Sequence, residues 1–579
     1  MSTITQLLCN NFGGIRQKNA VFSADLVTAQ DIQNVELYYT EINSGIGIRT
    51  MKGNIAINST LKDSEKIINI FESTQGGVKH CYIHTEGTEA NTGKLYKYDF
   101  SEDTLTAVRA GMANTTQSVG FDVAQGWDDL FFFTNGVEMF TVQAANKTLY
   151  AFVYSDKVIY ADDAYNPTTL YSVSGNMYAY YGGTEWTVSG GAVKYNGNAA
   201  TYTAGSNVTL TNPVFYMSPK DRDGRTVLGV GATLFAGKLW IFKENILWYS
   251  VTSNIYDFAT NDPDWDTSAG YVEFEKNITA IHEYLNSLAV FHADSSELLS
   301  IDSNNNLSRG EESPAGCASL SSLVFHDTNL YFYDDTKKSV FSFKQVVTGE
   351  KTLGENIAVE VQEELQKIDP RYVDKIKTLS VFIEGRNEIW WLIPTSEDNR
   401  SIVLIFDYLK GEWVKRKCQK INCIAIYNNT LYSGSDNGVL LEEYQTDTFD
   451  GEYIQHYYKC TPMNLGAMNT LKVFLFPPRV SLDLPYQNDF YVKYEKNYDL
   501  LKKAKLKHIK AKNKGLFYYG DPKSIYNAAY YAPKRTGEVV KFPNATFKIL
   551  EITIYTEEKE GSNFSIKNIE FSKIKVKQV

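Results

Sequence analysis

The sequence predicts an all-β protein built around a β-propeller of about seven blades. A short apolar, aromatic strand, a polar turn and a second apolar strand recur along the chain, and the first strand of this pattern begins at residues 81, 130, 239, 288, 330, 389 and 431. The intervals are 49, 109, 49, 42, 59 and 42 residues. A period of roughly 40 to 50 residues with several short strands is typical of propeller blades. The 40 Tyr and 31 Phe suit sheets whose faces are buried against neighbouring blades.

Two of the intervals are longer than one blade, and each contains an extra segment. Residues 155–215 are rich in Tyr, Gly, Ser, Asn and Thr, and this composition predicts a hairpin-rich insertion. Without it, the interval of 109 residues shrinks to about one blade. The interval of 59 residues contains the one predicted helix, residues 355–368. There, apolar residues recur every three to four positions and Pro370 ends the run.

The propeller is predicted to be one of three parts of the chain. Residues 1–50 form an N-terminal arm and the first strands, residues 51–463 form the propeller with its insertion and helix, and residues 464–579 form a C-terminal β domain resembling a sandwich. In the last part, apolar and polar residues alternate in 471–476, 490–494, 546–555 and 564–571. This alternation predicts strands with one buried face.

Charge is distributed unevenly between these parts. The whole chain carries a net charge of −11. From residue 464 onward, 19 Lys and 2 Arg against 11 Asp and Glu give +10, which leaves −21 for residues 1–463. The densest basic run, Lys502–Lys514, has a composition that could bind phosphate. The interpretation favoured here is a strand with one solvated face, because Leu506 and Ile509 interrupt the lysines.

The cysteines and the first residues of the chain indicate the cellular compartment in which the protein is expected. Residues 1–10 are too short and too polar for a signal peptide, and no apolar run reaches 18 residues. We therefore expect a protein that is made and kept soluble inside a cell. Six scattered cysteines without a CxxC motif predict free, buried thiols; they are Cys9, Cys81, Cys317, Cys418, Cys423 and Cys460.

Candidate metal ligands are few. Asp262, Asp264 and Asp266 have the spacing of a calcium loop but lack its glycine and distal glutamate, so a turn with side-chain caps is the favoured interpretation. His80 and His84 are close in sequence on a predicted strand, without a second ligand cluster to complete a site. No metal site is predicted.

Sequence motifs for catalysis are also missing. The segment Lys220–Arg225 is predicted to be a charged turn that ends on Gly224 before a strand at 227–228. The chain contains no nucleophile-elbow, phosphate-loop, zinc-protease or dinucleotide-binding motif. We therefore predict no catalytic residue, no cofactor-binding residue and no cofactor, and we expect that the protein is not an enzyme.

Several phrases of the sequence resemble those of a known family. They are Leu247–Ser250, Tyr256–Phe258, residues 264–271, residues 276–281 and 288–291, residues 44–54 near the start, and residues 384–390 and 406–413. Together they resemble the β-propeller tail proteins of short-tailed bacteriophages, which are called nozzle proteins, tail tubular protein B or tail hubs. The resemblance spans most of residues 35–575.

The resemblance implies a structural protein of the virion tail, assembled in the host cytoplasm. In that family several copies, typically six, form a ring below the portal and adaptor, and loops of the ring close the channel through which the genome leaves. The implied partners are other copies of the chain, adaptor and portal-side ring proteins, and other tail proteins such as fibres. Genomic DNA would pass through the lumen without sequence-specific binding. The acidic propeller agrees with this, because a lumen that repels phosphate lets DNA slide.

Two other functions stay open. A receptor- or glycan-binding tail protein of the same architecture would group aromatic residues at one mouth of the propeller, and the insertion 155–215 is the place for them. A glycan hydrolase would need two carboxylates about 5 to 9 Å apart in the central cleft. No sequence motif supports the hydrolase.

Overall fold

The computed structural model describes residues 3–9, 11–17, 26–40, 45–58, 61, 65–174, 177–180, 185–202, 207–260, 268–301, 306–345, 351–383, 385–393, 400–463, 470–474, 478–482, 488–496, 505–511 and 546–578. Almost all regular structure in these ranges is β-strand. Seven antiparallel blades follow one another along the chain, so the predicted propeller is confirmed.

The chain begins with six strands before the first complete blade. They are β1 (Thr3–Cys9), β2 (Asn11–Ile15), β3 (Leu26–Gln33), β4 (Val35–Tyr39), β5 (Ile46–Thr50) and β6 (Asn54–Ala56). The first five belong to a large sheet that contains both ends of the chain.

Blade 1 consists of β7 (Lys66–Gln75), β8 (Val78–Glu86), β9 (Gly93–Asp99) and β10 (Thr104–Met112). Blade 2 begins with β11 (Val119–Gln125), β12 (Asp128–Thr134) and β13 (Met139–Val142). The insertion follows, with β14 (Lys147–Tyr154), β15 (Lys157–Ala161), β16 (Leu170–Ser174), β17 (Met177–Tyr180), β18 (Trp186–Ser189), β19 (Ala192–Tyr195), β20 (Asn198–Ala199), β21 (Thr201–Tyr202) and β22 (Val208–Leu210). Strand β23 (Val214–Tyr216) then pairs with β13 and completes the blade.

The described residues of the next three blades contain no comparable insertion. Blade 3 consists of β24 (Gly231–Phe235), β25 (Lys238–Lys243), β26 (Ile246–Tyr249) and β27 (Gly270–Glu273), and blade 4 of β28 (Ile278–Tyr284), β29 (Ser287–His292), β30 (Ser296–Ile301) and β31 (Leu307–Arg309). After a 3-10 turn, Leu320–Ser322, blade 5 consists of β32 (Leu323–His326), β33 (Asn329–Asp334), β34 (Ser339–Gln345) and β35 (Lys351–Asn356).

Short helical turns separate blades 5 and 6. They are a 3-10 turn at Val359–Val361, the helix α1 (Gln362–Leu365) and a 3-10 turn at Pro370–Lys375. Blade 6 consists of β36 (Lys377–Val381), β37 (Glu388–Ile393), β38 (Arg400–Asp407) and β39 (Glu412–Gln419). Blade 7 contains β40 (Ile421–Tyr427), β41 (Thr430–Ser435) and β42 (Leu440–Glu443), with a small hairpin, β43 (Thr448–Phe449) and β44 (Glu452–Tyr453), beyond it.

The remaining strands complete the large sheet, which we call the terminal sheet. They are β45 (Tyr457–Cys460), β46 (Thr470–Phe474), β47 (Arg479–Leu482), β48 (Asn488–Lys496), β49 (Lys505–Ala511), β50 (Thr546–Phe547), β51 (Leu550–Tyr555) and β52 (Ser565–Gln578). The order is β49-β48-β51-β45-β3-β2-β5-β52-β46-β50, with β1 and β47 also on β52 and β4 on β5. The two ends of the chain, which are predicted from the sequence to lie in separate parts, therefore pair in one sheet of 13 strands. The domain boundaries themselves stay a prediction.

The seven strands from which the period was derived occupy equivalent places. Residues 81–84, 130–133, 239–242, 288–291, 330–333, 389–392 and 431–432 all lie in the second strand of a blade, namely β8, β12, β25, β29, β33, β37 and β41. This strand is flanked on both edges and packed on both faces, so its apolar run is almost wholly buried. Burial on every side explains why these strands have the clearest sequence signal.

Apolar clusters between neighbouring blades show that the ring is closed. Separate clusters join blades 1 and 2, 2 and 3, 3 and 4, and 4 and 5. The largest cluster joins blades 5, 6 and 7 to the terminal sheet, and another joins blade 7 back to blade 1 through Cys423 and Ile67. Each blade packs mainly on its two neighbours, as in other repeat architectures.

The fourth strand of blade 7 comes from the start of the chain. Strand β6 pairs antiparallel with β42, so that Asn54 lies opposite Glu443. Both side chains are buried. Glu443 accepts hydrogen bonds from Asn54 Nδ2 at 3.0 Å, from Ser433 Oγ at 2.5 Å and from the Arg416 guanidinium. Arg416 also donates to the carbonyl oxygen of Lys52 at 2.7 Å, so one buried cluster holds the closing strand.

The terminal sheet packs against the outer strand of blade 6. Gly14 in β2 lies so close to β39 that a Cβ atom there would be 2.3 Å from the carbonyl oxygen of Trp413. The Gly14 amide donates to Glu412 Oε2 at 2.8 Å, and Lys415 Nζ lies 2.6 Å from Asp31 Oδ1. The Tyr458 hydroxyl lies 2.8 Å from the carbonyl oxygen of Gly13 and 2.6 Å from that of Val27, and its one proton is donated between them. The terminal sheet is thus fixed to the propeller by close packing of the β2 backbone against the β39 backbone, together with these polar contacts.

The predicted helix 355–368 is wrong in length. Its first residues belong to β35, and only Gln362–Leu365 is α-helical. The apolar residues of the pattern are nevertheless buried, among them Val361, Leu365 and Ile368. A series of 3-10 and α turns therefore satisfies the same spacing as a continuous helix.

The buried carboxylate of Glu443 provides a test of the closure. Glu443→Ala leaves the Arg416 guanidinium buried without its partner, so we expect the free energy of unfolding to fall by about 3–5 kcal/mol. Urea denaturation followed by tryptophan fluorescence measures this loss. The control, Asp294→Ala, removes a solvent-exposed partner of Lys276 and should change the midpoint very little. Equal midpoints for the two variants would show that the cluster does not hold the ring.

Candidate functional site: the central cavity and the insertion face

The first strand of every blade faces the axis of the propeller and surrounds a cavity of about 370 Å³. Each blade contributes to its lining; one residue from each is Asn69, Ser118, Thr233, His282, Ser321, Lys377 and Ile424. The lining residues range from the first residue of a first strand, as at Lys377, to a position past the middle of one, as at His282. The cavity has the volume of a small-molecule pocket.

Lys377 is the one Lys, Arg, Asp or Glu among the described residues that line this cavity. Its side chain is buried, with 7% of the residue exposed, and Nζ has no hydrogen-bond partner among the described residues. Burial, and to a smaller extent the charge of Lys66, lowers the pKa of Lys377 to about 8. The Oγ1 of Thr378, the next residue, is also buried without a partner among the described atoms.

The segment just before Lys377 is held by two other blades. Gln117 Nε2, ahead of blade 2, donates to the carbonyl oxygen of Asp374 at 2.6 Å. Ser321 Oγ, ahead of blade 5, donates to the carbonyl oxygen of Ile376 at 2.6 Å. Because blades 2 and 6 are not neighbours, the 3-10 turn Pro370–Lys375 reaches across the axis. This turn fixes the backbone that carries Lys377.

His84 lies in the core beside the cavity. Its Nδ1 is 2.9 Å from Ser118 Oγ, and its Nε2 has no partner among the described atoms. Burial, and then the charge of Lys377, lowers the pKa of His84 to about 3, so the ring is neutral at pH 7. His80 is only half-buried on the same strand. Among the residues that the structure describes, no three His, Cys, Asp or Glu side chains are grouped to hold a metal ion.

The other candidate residues from the sequence form turns or lie outside the described residues. Asp262, Asp264 and Asp266 fall in 261–267, which the structure does not describe. The predicted charged turn at Lys220–Arg225 is present, with Gly224 at φ +81° and Asp221 accepting from the Trp248 indole at 3.0 Å. The strand predicted at 227–228 is wrong: only the bridge Lys220–Thr226 forms there.

The predicted free thiols are confirmed where the structure describes them. Cys81, Cys317, Cys418, Cys423 and Cys460 are free and buried, and burial raises the pKa of each of the first four. Those four thiols are packing residues rather than nucleophiles, because a buried thiol with a raised pKa is inert. The side chain of Cys9 lies outside the description.

One end of the propeller, which we call the insertion face, carries the insertion and several exposed apolar side chains. In a four-stranded antiparallel blade, the first-to-second and third-to-fourth connections lie at the same end. The insertion occupies the third-to-fourth connection of blade 2. At the same end, Trp127 is fully exposed, and Phe382 and Leu409 on blade 6 are 72% and 61% exposed. Val78 on blade 1 is also exposed there.

The insertion has a small core of its own. Phe152, Ile159, Leu170, Trp186 and Val193 are buried together, with Ala161 completing the cluster. Its strands run from β14 to β22, so it begins some residues before the predicted 155. On its surface, Tyr165 is almost fully exposed and Tyr202 is partly exposed.

The basic run forms the edge of the terminal sheet. Strand β49 pairs on one side with β48 and has no partner on the other side among the described strands. Ile509 is buried while Lys505, Lys507 and Lys510 are exposed. Lys510 Nζ lies 2.9 Å from Asp489 Oδ2, and the other oxygen of Asp489 accepts from His508. Within 505–511 the predicted strand is confirmed, but the single solvated face is wrong, because Leu506 is exposed and Lys505 and Lys507 lie on the same face as the buried Ile509. The rest of the run lies outside the described residues.

Comparisons with known proteins give only distant structural similarity. No protein-family model and no curated protein sequence matches the chain. The computationally designed Ika8 protein has 11% identity and a TM-score of 0.34, with 68% of this chain and 100% of that chain covered. Virginiamycin B lyase from Staphylococcus aureus has 10% identity and a TM-score of 0.31 (68% and 98% covered). Kluyveromyces lactis Hsv2 has 10% identity and a TM-score of 0.25 (62% and 98% covered).

These similar structures are β-propellers. Their identities and TM-scores are too low to support any argument about function, so the assignment of the fold rests on the seven sheets themselves. In addition, no helix within the described ranges is long and apolar enough to cross a membrane.

Sequence reasoning did not find Lys377 or the environment of His84. Lysine is common on exposed strand edges, so one lysine at the start of a strand gives no signal of burial. The burial of Lys377 could be inferred only from its position as the first residue of the inner strand of blade 6. That position is known only once the boundaries of the blades are known.

The buried neutral histidines predict a loss of stability in acid. The pKa of His456 is lowered to about 4, chiefly by burial and also by Arg416, although its Nδ1 bonds to the carbonyl oxygen of Asn34. The folded state protonates these histidines less readily than the unfolded state does. Their contribution to the free energy of unfolding is therefore fully present above about pH 6.5 and is lost as the pH falls toward 4. His456→Gln should reduce the slope of unfolding free energy against pH by about 1.4 kcal/mol per pH unit across this window.

Urea denaturation at several pH values between 4.5 and 7.5 measures that slope. A slope equal to that of the parent protein would mean that His456 is protonated in the folded state.

Proposed function

We propose that this protein is a structural component of a bacteriophage tail, a nozzle or hub whose copies form a ring around the DNA exit channel below the portal and adaptor. Support comes from the sequence phrases at 247–250, 256–258 and 264–271 that resemble that family, and from the propeller fold. The main structural support is the set of exposed apolar residues on the insertion face, Trp127, Phe382 and Leu409. Aromatic residues are enriched in protein–protein interfaces.

The size of the central cavity decides where DNA could pass. About 370 Å³ is the volume of a small-molecule pocket. Duplex DNA, whose major groove alone is about 12 Å wide, cannot enter it. A DNA channel therefore requires several copies of the chain arranged around a common axis. Six copies, as the resemblance implies, is our proposal.

Charge supports the same arrangement. Residues 1–463, which include the propeller, carry −21, and the chain from 464 onward carries +10. A lumen formed by acidic surfaces does not grip phosphates, because binding strength comes mainly from neutralised phosphate charges. The basic edge strand β49 would then lie away from the lumen, against an acidic neighbour such as the adaptor ring or another copy.

A receptor- or glycan-binding role is the second candidate. Tyr165 and Tyr202 on the insertion present aromatic rings to solvent. Such rings supply large, rigid contact area with a polar end. This role is compatible with a place in the tail, and it differs from the first because one copy would suffice for binding.

Replacing the exposed aromatics of the insertion face tests assembly. In the double variant Trp127→Ser and Phe382→Ser we expect fewer rings, because the lost apolar contacts lie in the interface. Mass photometry and negative-stain imaging of the protein, alone and mixed with its adaptor ring, count the copies. The matched control, Val137→Ser with Val359→Ser, changes exposed apolar residues away from that face and should assemble as the parent does.

A protein that stays monomeric in the mature particle would contradict the ring. Monomers in free solution would not, since rings of this kind can require the adaptor as a template. Binding of host-surface glycans by the monomer, with no ring on the particle, would favour the second candidate.

A further inference from the structure

A cleft of about 420 Å³ lies between the terminal sheet and blade 6. One wall is formed by residues 36–39 of β4 and 49–50 of β5, and the other by residues 385–388 and the connection between β38 and β39. Tyr444, just after β42, also lines the cleft. Its volume is that of a small-molecule pocket.

The two glutamates of the lining already accept hydrogen bonds on every carboxylate oxygen. Glu36 Oε1 accepts from Arg49 Nε, and Glu36 Oε2 accepts from Arg386 Nη1 at 2.9 Å. Glu388 Oε1 accepts from the same Arg386 nitrogen at 3.1 Å, and its Oε2 accepts from the indole of Trp390 at 2.9 Å. The acceptors of these side chains are therefore engaged within the protein.

The third carboxylate of the described lining, Asp407, is engaged in the same way. Its Oδ1 accepts from the backbone amide of Lys410 at 2.9 Å, and its Oδ2 accepts from the Lys410 ammonium. A ligand in the cleft thus meets carboxylates whose oxygens all have protein donors.

Two cationic side chains of the cleft, in contrast, have donors to spare. Arg386 uses Nη1 for both of its carboxylate partners, while Nε and Nη2 form no hydrogen bond with the described residues. The side chain lines the cleft and is 19% exposed, and neither of these nitrogens is sealed from solvent. Lys52, also in the lining, is exposed, and its ammonium has no partner among the described residues.

The guanidinium of Arg386 is held in one orientation. Its central carbon lies 3.5 Å from the centroid of the Tyr444 ring, and Nη1 is fixed between Glu36 and Glu388. The free nitrogens, Nε and Nη2, form one edge of the planar group with two parallel N–H bonds. Such an edge matches the two oxygens of a carboxylate or phosphate.

Exposed apolar groups beside this edge favour a carboxylate over a bare phosphate. Tyr39 and Leu409 line the same cleft and are 57% and 61% exposed. An apolar group attached to the anion would cover them and gain the free energy of apolar burial.

We propose that the cleft between the terminal sheet and blade 6 binds a carboxylate attached to an apolar body. Arg386 Nε and Nη2 hold the two oxygens, the Lys52 ammonium adds a second positive charge, and Tyr39 packs against the apolar part. A free organic acid and the carboxyl end of a peptide present this same chemistry. The inference concerns a single chain and does not depend on the proposed ring.

Calorimetric titration of the full-length protein at constant ionic strength tests the site. The probes are 3-phenylpropionate, the dipeptide acetyl-glycyl-phenylalanine, the amides of both acids, and inorganic phosphate. We expect saturable binding of one molecule per chain for at least one of the two acids. Each amide should bind about tenfold or more weakly than its acid, because it lacks the charge-assisted hydrogen bonds. Tighter binding of the dipeptide than of 3-phenylpropionate would identify a peptide end as the source, and the reverse order a free acid.

Two variants locate the binding contact. Arg386→Lys keeps a positive charge beside Glu36 and Glu388 but removes the bidentate edge, so affinity for the acid should fall by about tenfold or more. Lys52→Met removes an exposed charge and should weaken binding by about two- to fivefold. The matched control is Lys243→Met, at the exposed end of β25, which should bind as the parent does.

No saturable binding of either acid, or equal binding of acids and amides, would overturn the proposal. So would parent-like affinity in a folded Arg386→Lys variant, or tighter binding of phosphate than of both acids. If Arg386→Lys fails to fold, the comparison of acid with amide on the parent protein and the Lys52→Met variant still decide the question.

Discussion

The pairing of β6 with β42 is the contact on which the rest of the molecule depends. Three residues near the start of the chain complete a blade whose other strands lie more than 360 residues later. This contact turns a row of blades into a ring. The long loop that it closes carries a large entropic cost, which the blade 7 to blade 1 core and the buried cluster around Glu443 offset.

The position of the terminal sheet follows from the closure. Only Met51, Lys52 and Gly53 separate β5 from β6, so the sheet that contains β5 must lie beside blades 6 and 7. Buried ion pairs then fix its orientation: Arg386 bridges Glu36 in the sheet and Glu388 in blade 6, at 2.9 and 3.1 Å. Replacing such pairs by apolar groups is often neutral in stability. These ion pairs instead favour one orientation of the terminal sheet on blade 6, the one in which Arg386 reaches both Glu36 and Glu388.

The fold was predictable where burial is complete and local. The second strand of each blade contains a short, buried apolar segment, and these segments located all seven blades. Strand β6 could not be found this way, because it is three residues long. Its main side-chain contact with blade 7 is made by a polar residue, Asn54, which donates to Glu443. The pairing of the two chain ends in the terminal sheet was also hidden, since alternation identifies a strand but not its partner. The spacing of Ile357, Val361 and Leu365 predicted too long a helix, because successive 3-10 and α turns bury the same positions. The buried Lys377 could not be identified before the inner strands were known.

Hydrogen exchange of the segment 54–58 tests whether the start of the chain closes the propeller. The closing strand is paired with β42, and the Ile57 amide donates to the carbonyl oxygen of Leu440 at 3.0 Å. We expect peptides covering 54–58 to exchange as slowly as peptides from β41, since both open only with the ring. Complete exchange of 54–58 within seconds, while β41 stays protected, would show that the ring is not closed by β6.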